Sequence, residues 1–425
     1  MLDVNYIREH IEELRKVAQL KGIQVNLDRW IELDQARRSL RIQVESLRKA
    51  RNDYSAQIAG YVQQAKQELA NETKEAVRTV NAELGDLEVK LRAMDEEFDQ
   101  IMQLIPNRIS ADTPMGQSDA DNVEIRKHGD IPVFDYEPLD HIALGEKHQL
   151  FDLARGVKVA GMRNYFLKGW GLHLHRAVQQ LAIDLLVPRG YQMLDVPVIV
   201  REDALVNTGF FPLGKDQAFE IQDEGKYLVG TSEAPLVAYY SDEIIDVEEP
   251  IRLAGVSNCF RSEIGSAGRD VRGLYRVHQF AKVEQVVLCK NDEVVSDRIL
   301  QEMTQNAEDI LQLLELPYRV VAVCTGDLSQ KNYKQYDIET WMPSRGAYGE
   351  THSASNVLDF QARRSNIRYR DEEGKLQYCC TLNNTAVATP RILIPLLENH
   401  QREDGSINIP KALRPYLYGI SEIRI

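Results

Sequence analysis

Phe260–Glu284 reads FRSEIGSAGRDVRGLYRVHQFAKVE, and the placing of its glycines and charges decides the architecture around it. A strand-like run on each side of a loop containing Gly265, Gly268 and Gly273 predicts a long-looped β-hairpin. Period two puts Arg261 and Glu263 on one face of the first strand. On the second it aligns Arg276, His278, Phe280, Lys282 and Glu284, with Val277, Ala281, Val283 and Val287 opposite. One face is therefore polar, aromatic and ionisable. Such a face suits a site for a nucleotide and an amino acid, because a guanidinium grips phosphate or carboxylate bidentately and a ring stacks on a base. It also suits a sheet surface facing water, and the pattern alone does not choose between the two.

Outward from the hairpin, helical periodicity marks Gly171 to Val187 and Asp292 to Leu314, and strand-like runs mark Met193 to Val200 and Tyr318 to Val323. Strands and helices do not alternate regularly, which predicts an α+β domain on a mainly antiparallel sheet. A polar linker, roughly Ser110 to Gly129, precedes this domain. Neither a G-x-x-x-x-G-K-[ST] loop nor a strand followed by G-x-G-x-x-G is present, so a nucleotide would bind in another way.

The N-terminal quarter is different in kind. Trp30, Leu33, Arg37, Leu40, Val44, Leu47, Arg51, Tyr54 and Ile58 recur alternately three and four apart, as do Val77, Val80, Leu84, Leu87, Leu91, Met94, Phe98, Ile101 and Ile105. This is coiled-coil spacing. Pro106 and Asn107 stop the second helix, and the polar stretch Gly60 to Asn71 separates it from the first, so an antiparallel hairpin arm over about 29–105 is expected. From Arg29 to Lys66 there are eight basic and four acidic residues; from Glu68 to Asp99, four basic and ten acidic. A polyanion would lie against the first helix, where Arg38, Arg41 and Arg48 are candidate contacts. Alternatively these charges solvate the outer faces and pair across the hairpin.

At 425 residues the chain fits two or three domains: 1–110 with the arm, and 111–425. A net charge of −14 excludes the overall basic character common in nucleic-acid binders, so RNA contact must be local, and DNA is not an expected partner. Five cysteines without C-x-x-C spacing suggest neither a disulfide framework nor a zinc ribbon. The start MLDVNYIREHIEELRK is charged from its third residue and no long apolar run follows, which predicts a cytoplasmic protein away from membranes.

FRSEIGSAGRDVRGLYRVHQF closely resembles motif 2 of class II aminoacyl-tRNA synthetases in its seryl form. The resemblance continues in order through Gly230–Pro235 (GTSEAP), similar to the T-x-E serine loop, Glu350–Asn356 (ETHSASN), similar to the metal and ATP strand, DFQARR from Asp359, and Thr381–Gln401 (TLNNTAVATPRILIPLLENHQ), similar to motif 3. Motif 1 is least specific, ending near GYQMLDVPVIV, and implies a homodimer. The resemblance implies an ATP-dependent ligase joining serine to tRNA(Ser), with a selenocysteine tRNA left open as a second acceptor.

Carried over position by position, it implies that Arg261 bridges the α-phosphate and the serine carboxylate, and that Glu263 contacts the adenosine end of ATP. Phe280 would stack on adenine with Val277 beside it, and Arg391 would hold the γ-phosphate. Glu350, Thr351, His352 and Ser353 would also meet ATP, with Glu350 and Ser353 as ligands of Mg2+. Their offset of three requires a bulge or a strand end. Thr231 and Glu233 would orient the α-ammonium, and Glu284 and Thr385 the hydroxyl, the one handle that separates serine from alanine. Glu284 has an alternative in Lys282, two residues away. His278 and His352 match positions where the family uses no histidine base. Many bacterial relatives carry G-S-G-L-A-x-G-R where this chain reads NNTAVATPR, but Thr385 keeps a hydroxyl and Pro390 suits a first helical turn. The zinc-dependent archaeal branch is disfavoured, since no Cys and His constellation has ligand spacing. A paralogue loading a carrier protein would lack the arm, and a scaffold with a degenerate domain would lack Arg261, Glu284 and Arg391.

Overall fold

The computed structural model describes residues 1–265 and 272–424, so Gly268 lies outside the described residues. The chain forms two compact units, one of Val4–Gln19 and Ile23–Ile105, the other of Met1–Asp3, Leu20–Gly22 and Pro106 onward.

The first unit is built on two long helices, α1 (Leu27–Gln63) and α2 (Gln67–Leu104). At 37 and 38 residues each spans about 55 Å. Asn26 caps α1, its side chain accepting from the Arg29 amide at 3.0 Å. The turn is only Gln64–Lys66; the polar stretch to Asn71, expected as a separator, is already helical from Gln67, because Ala70 finds full burial and completes the seam. Trp30, Leu33, Leu40 and Val44 of α1 pack against Leu84, Phe98 and Met102 of α2. Arg37, a seam residue that is not apolar, is accommodated by its guanidinium lying 3.7 Å from the Phe98 ring centroid and pairing with Asp95.

The second unit is organised by an eight-stranded sheet. Its strands are β1 (Val123–His128), β2 (Gln192–Asp195), β3 (Ile251–Phe260), β4 (Gln279–Cys289), β5 (Tyr318–Ala322), β6 (Lys334–Met342), β7 (Ala347–Leu358) and β8 (Cys380–Thr389). The order is β1-β5-β6-β7-β8-β4-β3-β2, antiparallel throughout except β2 against β3. Two helices, α3 (Gly169–Leu186) and α5 (Glu293–Leu313), cover one face; Val283 and Val287 point into that core with Leu174, Val178, Leu300 and Met303. On the other face Val286 and Leu288 are closed over by Leu236 and Val237 of a short helix, α4 (Glu233–Ala238). That cover stops at Glu284, and the sheet face beyond it is open.

Two expectations need correction. The linker Ser110–Gly129 contains β1, which pairs with β5 and forms an edge of the sheet. Met193–Val200 is not one strand: its start lies in β2, whereas Ile199–Arg201 belongs to a separate three-stranded sheet. Pro197 between them lacks the amide a continuous ladder needs.

Candidate active site

The open face of the sheet carries a cavity of about 280 Å³. β4 contributes Phe280, Lys282 and Glu284 on alternate positions, β8 contributes Asn383 and Thr385, and β7 contributes Glu350, Thr351 and Ser353. Thr385 stands directly opposite Glu284 in the ladder, and its hydroxyl donates to Glu284 Oε2 at 3.3 Å. Glu350 and Ser353 share the cavity because the ladder slips there: Ile338 pairs with His352 but Glu339 with Glu350, so Thr351 is an extra residue on β7. The bulge expected from their spacing is present.

Arg261 and Glu263 lie just beyond the end of β3, and β4 begins only at Gln279. Residues 275–278 are therefore not strand, and the period-two assignment fails for them. Val277 lines the cavity instead of sitting opposite Phe280, and Arg276 reaches Glu263 with Nη1 3.2 Å from Oε2. Glu263 takes a left-handed backbone, φ +53°, and its carbonyl accepts from Arg163 Nη1 at 2.7 Å. Gly273, at φ +71°, leaves no room for a side chain: a Cβ would stand 2.1 Å from His141 Nε2.

Arg261 sits with its Cζ 5.4 Å from the Phe280 ring centroid, and its Nε donates to the Gly230 carbonyl at 3.2 Å. Across the cavity Arg391 donates from Nε to the Tyr275 carbonyl at 3.1 Å, and its Cζ lies 4.5 Å from the Tyr275 ring centroid. Two guanidinium groups thus face one space from different walls.

The carboxylates at the closed end are buried. Glu233 Oε1 accepts from Lys331, from Gln361 at 2.7 Å and from Asn383 at 3.1 Å. Glu284 Oε2 meets Lys282 Nζ at 2.8 Å, so the lysine alternative raised by the sequence is realised, inside the pocket and not at the surface. Burial pushes the Glu284 carboxyl up, with Lys282 acting against it. Thr231 is also buried here, its hydroxyl accepting from the Glu233 amide at 3.2 Å.

His352 does not line the cavity. At 1% exposure it packs into the sheet interior, with Nδ1 2.8 Å from Thr351 Oγ1, so any part it takes in ATP binding runs through its backbone. Burial holds its pKa down to about 3, which leaves it neutral and away from the reacting groups. His278 is likewise outside the cavity lining, at the Arg261 carbonyl. The other candidates for ATP, serine and metal all reach the cavity. Sequence reading missed Lys331 and Tyr275 as cavity residues; Lys331 lies in a segment with no periodicity, and Tyr275 just precedes the run aligned by period two.

Arg38, Arg41 and Arg48 are all on α1 and all ion-paired: with Asp34 at 3.2 Å, Asp95 at 3.1 Å and Glu88 at 2.7 Å.

Residues 1–109 match the profile of the seryl-tRNA synthetase N-terminal domain, and residues 218–400 that of the class II tRNA synthetase core domain (G, H, P, S and T). The serine–tRNA ligase of Deinococcus radiodurans is 42% identical over 99% of this chain and 98% of its own length. The chain belongs to the seryl-tRNA synthetase family. The serine–tRNA ligase of Treponema denticola, 39% identical over 98% of both chains, is another member. Among solved structures, seryl-tRNA synthetase from Pyrococcus horikoshii complexed with ATP superposes with TM-score 0.90 at 36% identity, covering 100% of this chain and 99% of that one. The cytoplasmic serine–tRNA ligase from Naegleria fowleri in complex with AMP gives 0.86 at 28%, with the same coverage. In this synthetase family member, then, the open sheet face is the place where the class II core and its sequence motifs coincide.

Proposed function

We propose that the cavity activates serine with ATP and that the enzyme passes the seryl group to the terminal ribose of tRNA(Ser). The observation that carries this reading is the pairing of two arginines on opposed walls with a closed end holding Glu284 and Thr385 in contact. The serine carboxylate attacks the α-phosphorus, the bond to the bridging oxygen breaks, and pyrophosphate leaves. A ribose hydroxyl of the tRNA then takes the acyl group and AMP departs. No side chain acts as nucleophile.

Arg261 neutralises charge between the carboxylate and the α-phosphate, and Arg391 holds the γ-phosphate, which keeps the α-phosphorus open to in-line attack. Phe280 offers its ring to adenine beside Val277, Glu263 meets the adenosine end, and Thr231 and Glu233 orient the α-ammonium. Glu350, with its side chain about half exposed, and Ser353 would hold Mg2+ through oxygen atoms from one bulged strand, a donor chemistry that suits a hard cation. When bound, Mg2+ offsets phosphate charge. A homodimer in the cytoplasm, with domains 1–110 and 111–425, completes the reading; no helix among the described residues is long and apolar enough to cross a membrane.

The test is amino-acid-dependent exchange of pyrophosphate into ATP by the purified chain. Serine alone should support it, and better exchange with another amino acid would overturn the assignment.

A further inference from the structure

Glu233 and Glu284 share an arrangement that their role as serine-binding groups does not require. Among the described residues, the three side-chain donors to Glu233, from Lys331, Gln361 and Asn383, converge on Oε1. Both partners of Glu284, Lys282 and Thr385, converge on Oε2. The second oxygens, Glu233 Oε2 and Glu284 Oε1, receive no hydrogen bond from a described side chain and are not sealed in the interior, although both residues are buried at 3% and 2% exposure and line the cavity. Each carboxylate is therefore held at one oxygen and open at the other.

In each case a lysine supplies the only full positive charge at the held oxygen among the described residues, and both lysines are buried, at 5% for Lys282 and 8% for Lys331. Lys282 is fixed within β4. Lys331 is fixed from behind: Lys21 Nζ donates to the carbonyls of Ser329 at 3.1 Å, Gln330 at 3.3 Å and Asn332 at 2.7 Å, pinning the segment that carries it. In front, Lys331 Nζ lies 4.1 Å from the Phe210 ring centroid. Taking a lysine's charge out of water needs a compensating partner, and the pocket carboxylate is that partner in each case.

We propose that Lys282 and Lys331 are positioning residues for the amino acid: each occupies one oxygen of a pocket carboxylate and keeps the other oxygen ionised for the substrate. This rests on the reading of the closed end as the serine pocket. Among the described residues, no other lysine lines the cavity around the two carboxylates. Glu284 faces Lys282 on β4, Thr385 on β8 and Cys259 on β3, and feels Glu233 and Lys331; Glu233 faces Lys331, Gln361 and Asn383, and Arg261 lines the same cavity. The two lysines set a positive charge beside each of two neighbouring buried acids. Without one of these lysines Glu284, which burial already pushes up and both lysines hold down, takes up a proton, and the acceptor that the serine hydroxyl needs is lost.

The experiment is the pH dependence of the serine KM in pyrophosphate exchange, from pH 6 to 9, for the full-length enzyme and for Lys282→Met and Lys331→Met, with Lys282→Gln and Lys331→Gln in reserve where methionine impairs folding. The expected result is a serine KM raised by about tenfold at neutral pH and recovering towards the parent value as the pH rises, with the ATP KM changed by less than about twofold. A KM raised equally at every pH would reduce the lysines to packing and overturn the proposal. An unchanged or lowered KM would overturn it too, the latter by showing that lysine merely competes with the substrate ammonium. Glu284→Gln separates the proposal from the reading beneath it: if that variant leaves serine KM unaltered, the pocket assignment fails whatever the lysines do.

Discussion

Thr385 Oγ1 and Glu284 Oε2 stand 3.3 Å apart across two neighbouring strands, a hydroxyl donor and a carboxylate acceptor directly opposed in the ladder. Because both side chains issue from the middle of a sheet buttressed by α3 and α5, their separation is fixed by backbone hydrogen bonds and not by loop conformation. Thr385→Val keeps the shape and removes the hydroxyl. Serine activation should fall by about 10- to 100-fold in kcat/KM, while alanine, which has no hydroxyl to satisfy, should be activated as poorly as before. Pyrophosphate exchange with the two amino acids measures both, and a parallel loss for alanine would point to a distorted pocket.

Much of this site was legible because strands convert spacing into direction. Phe280, Lys282 and Glu284 share a face by period two alone, and the odd offset of Glu350 and Ser353 foretold the bulge that Thr351 makes. The same rule misplaced Val277, since the chain from Tyr275 to His278 leaves the ladder and obeys loop geometry. Met193–Val200 was misread because Pro197, which divides the run, marks a break in the ladder but not which sheet each half joins. Lys331 was invisible because its place depends on Lys21, some three hundred residues earlier, and no local pattern encodes that contact. The arm was the easiest part, as heptads report their own partner surface.

Among the described residues Arg391 touches only backbone carbonyls and the Tyr275 ring at close range, with Glu350 Oε2 at 3.9 Å. Its charge is thus largely available to an anion. Arg391→Gln should lower kcat for serine activation by about 10²- to 10³-fold, the scale of losing one preorganised charge stabiliser, with little change in serine KM. A rise in serine KM with kcat preserved would move Arg391 from the phosphates to the amino acid.

His175 on α3 meets Thr389 Oγ1 at 3.0 Å, at the end of β8 and two residues before Arg391, and burial holds its pKa down to about 4 from an ordinary 6.5. The folded protein therefore binds fewer protons here than the unfolded chain between those values. Stability from this group is complete above about pH 6.5 and is lost as pH falls towards 4, by an amount on the order of 3 kcal/mol. Replacing it by Asn removes the titration. The Tm of His175→Asn should fall less steeply with acid than that of the parent over this window, whatever its absolute stability at neutral pH. Equal slopes would mean that His175 already carries a proton in the fold.

On the arm, the arginines picked from sequence are committed to partners: Arg41 and Arg48 to carboxylates of α2, Arg38 to Asp34. Reversing their charge breaks these pairs as well as any contact with RNA, so loss of tRNA binding in such variants would not separate the two causes. Lys49 and Arg51, further along α1, have no ion-pair partner among the described residues, and Lys49 is exposed. An exposed cation without a partner gives phosphate contact at no cost in broken ion pairs. Lys49→Glu and Arg51→Glu should lower kcat/KM for tRNA charging and flatten its salt dependence, with serine-dependent pyrophosphate exchange unchanged. Arg48→Glu should also lower the Tm of the arm, because Glu88 loses its partner across the hairpin and gains a like charge. If Lys49→Glu and Arg51→Glu both charge tRNA normally with an unchanged salt dependence, the unpaired cations of α1 are not the phosphate contacts.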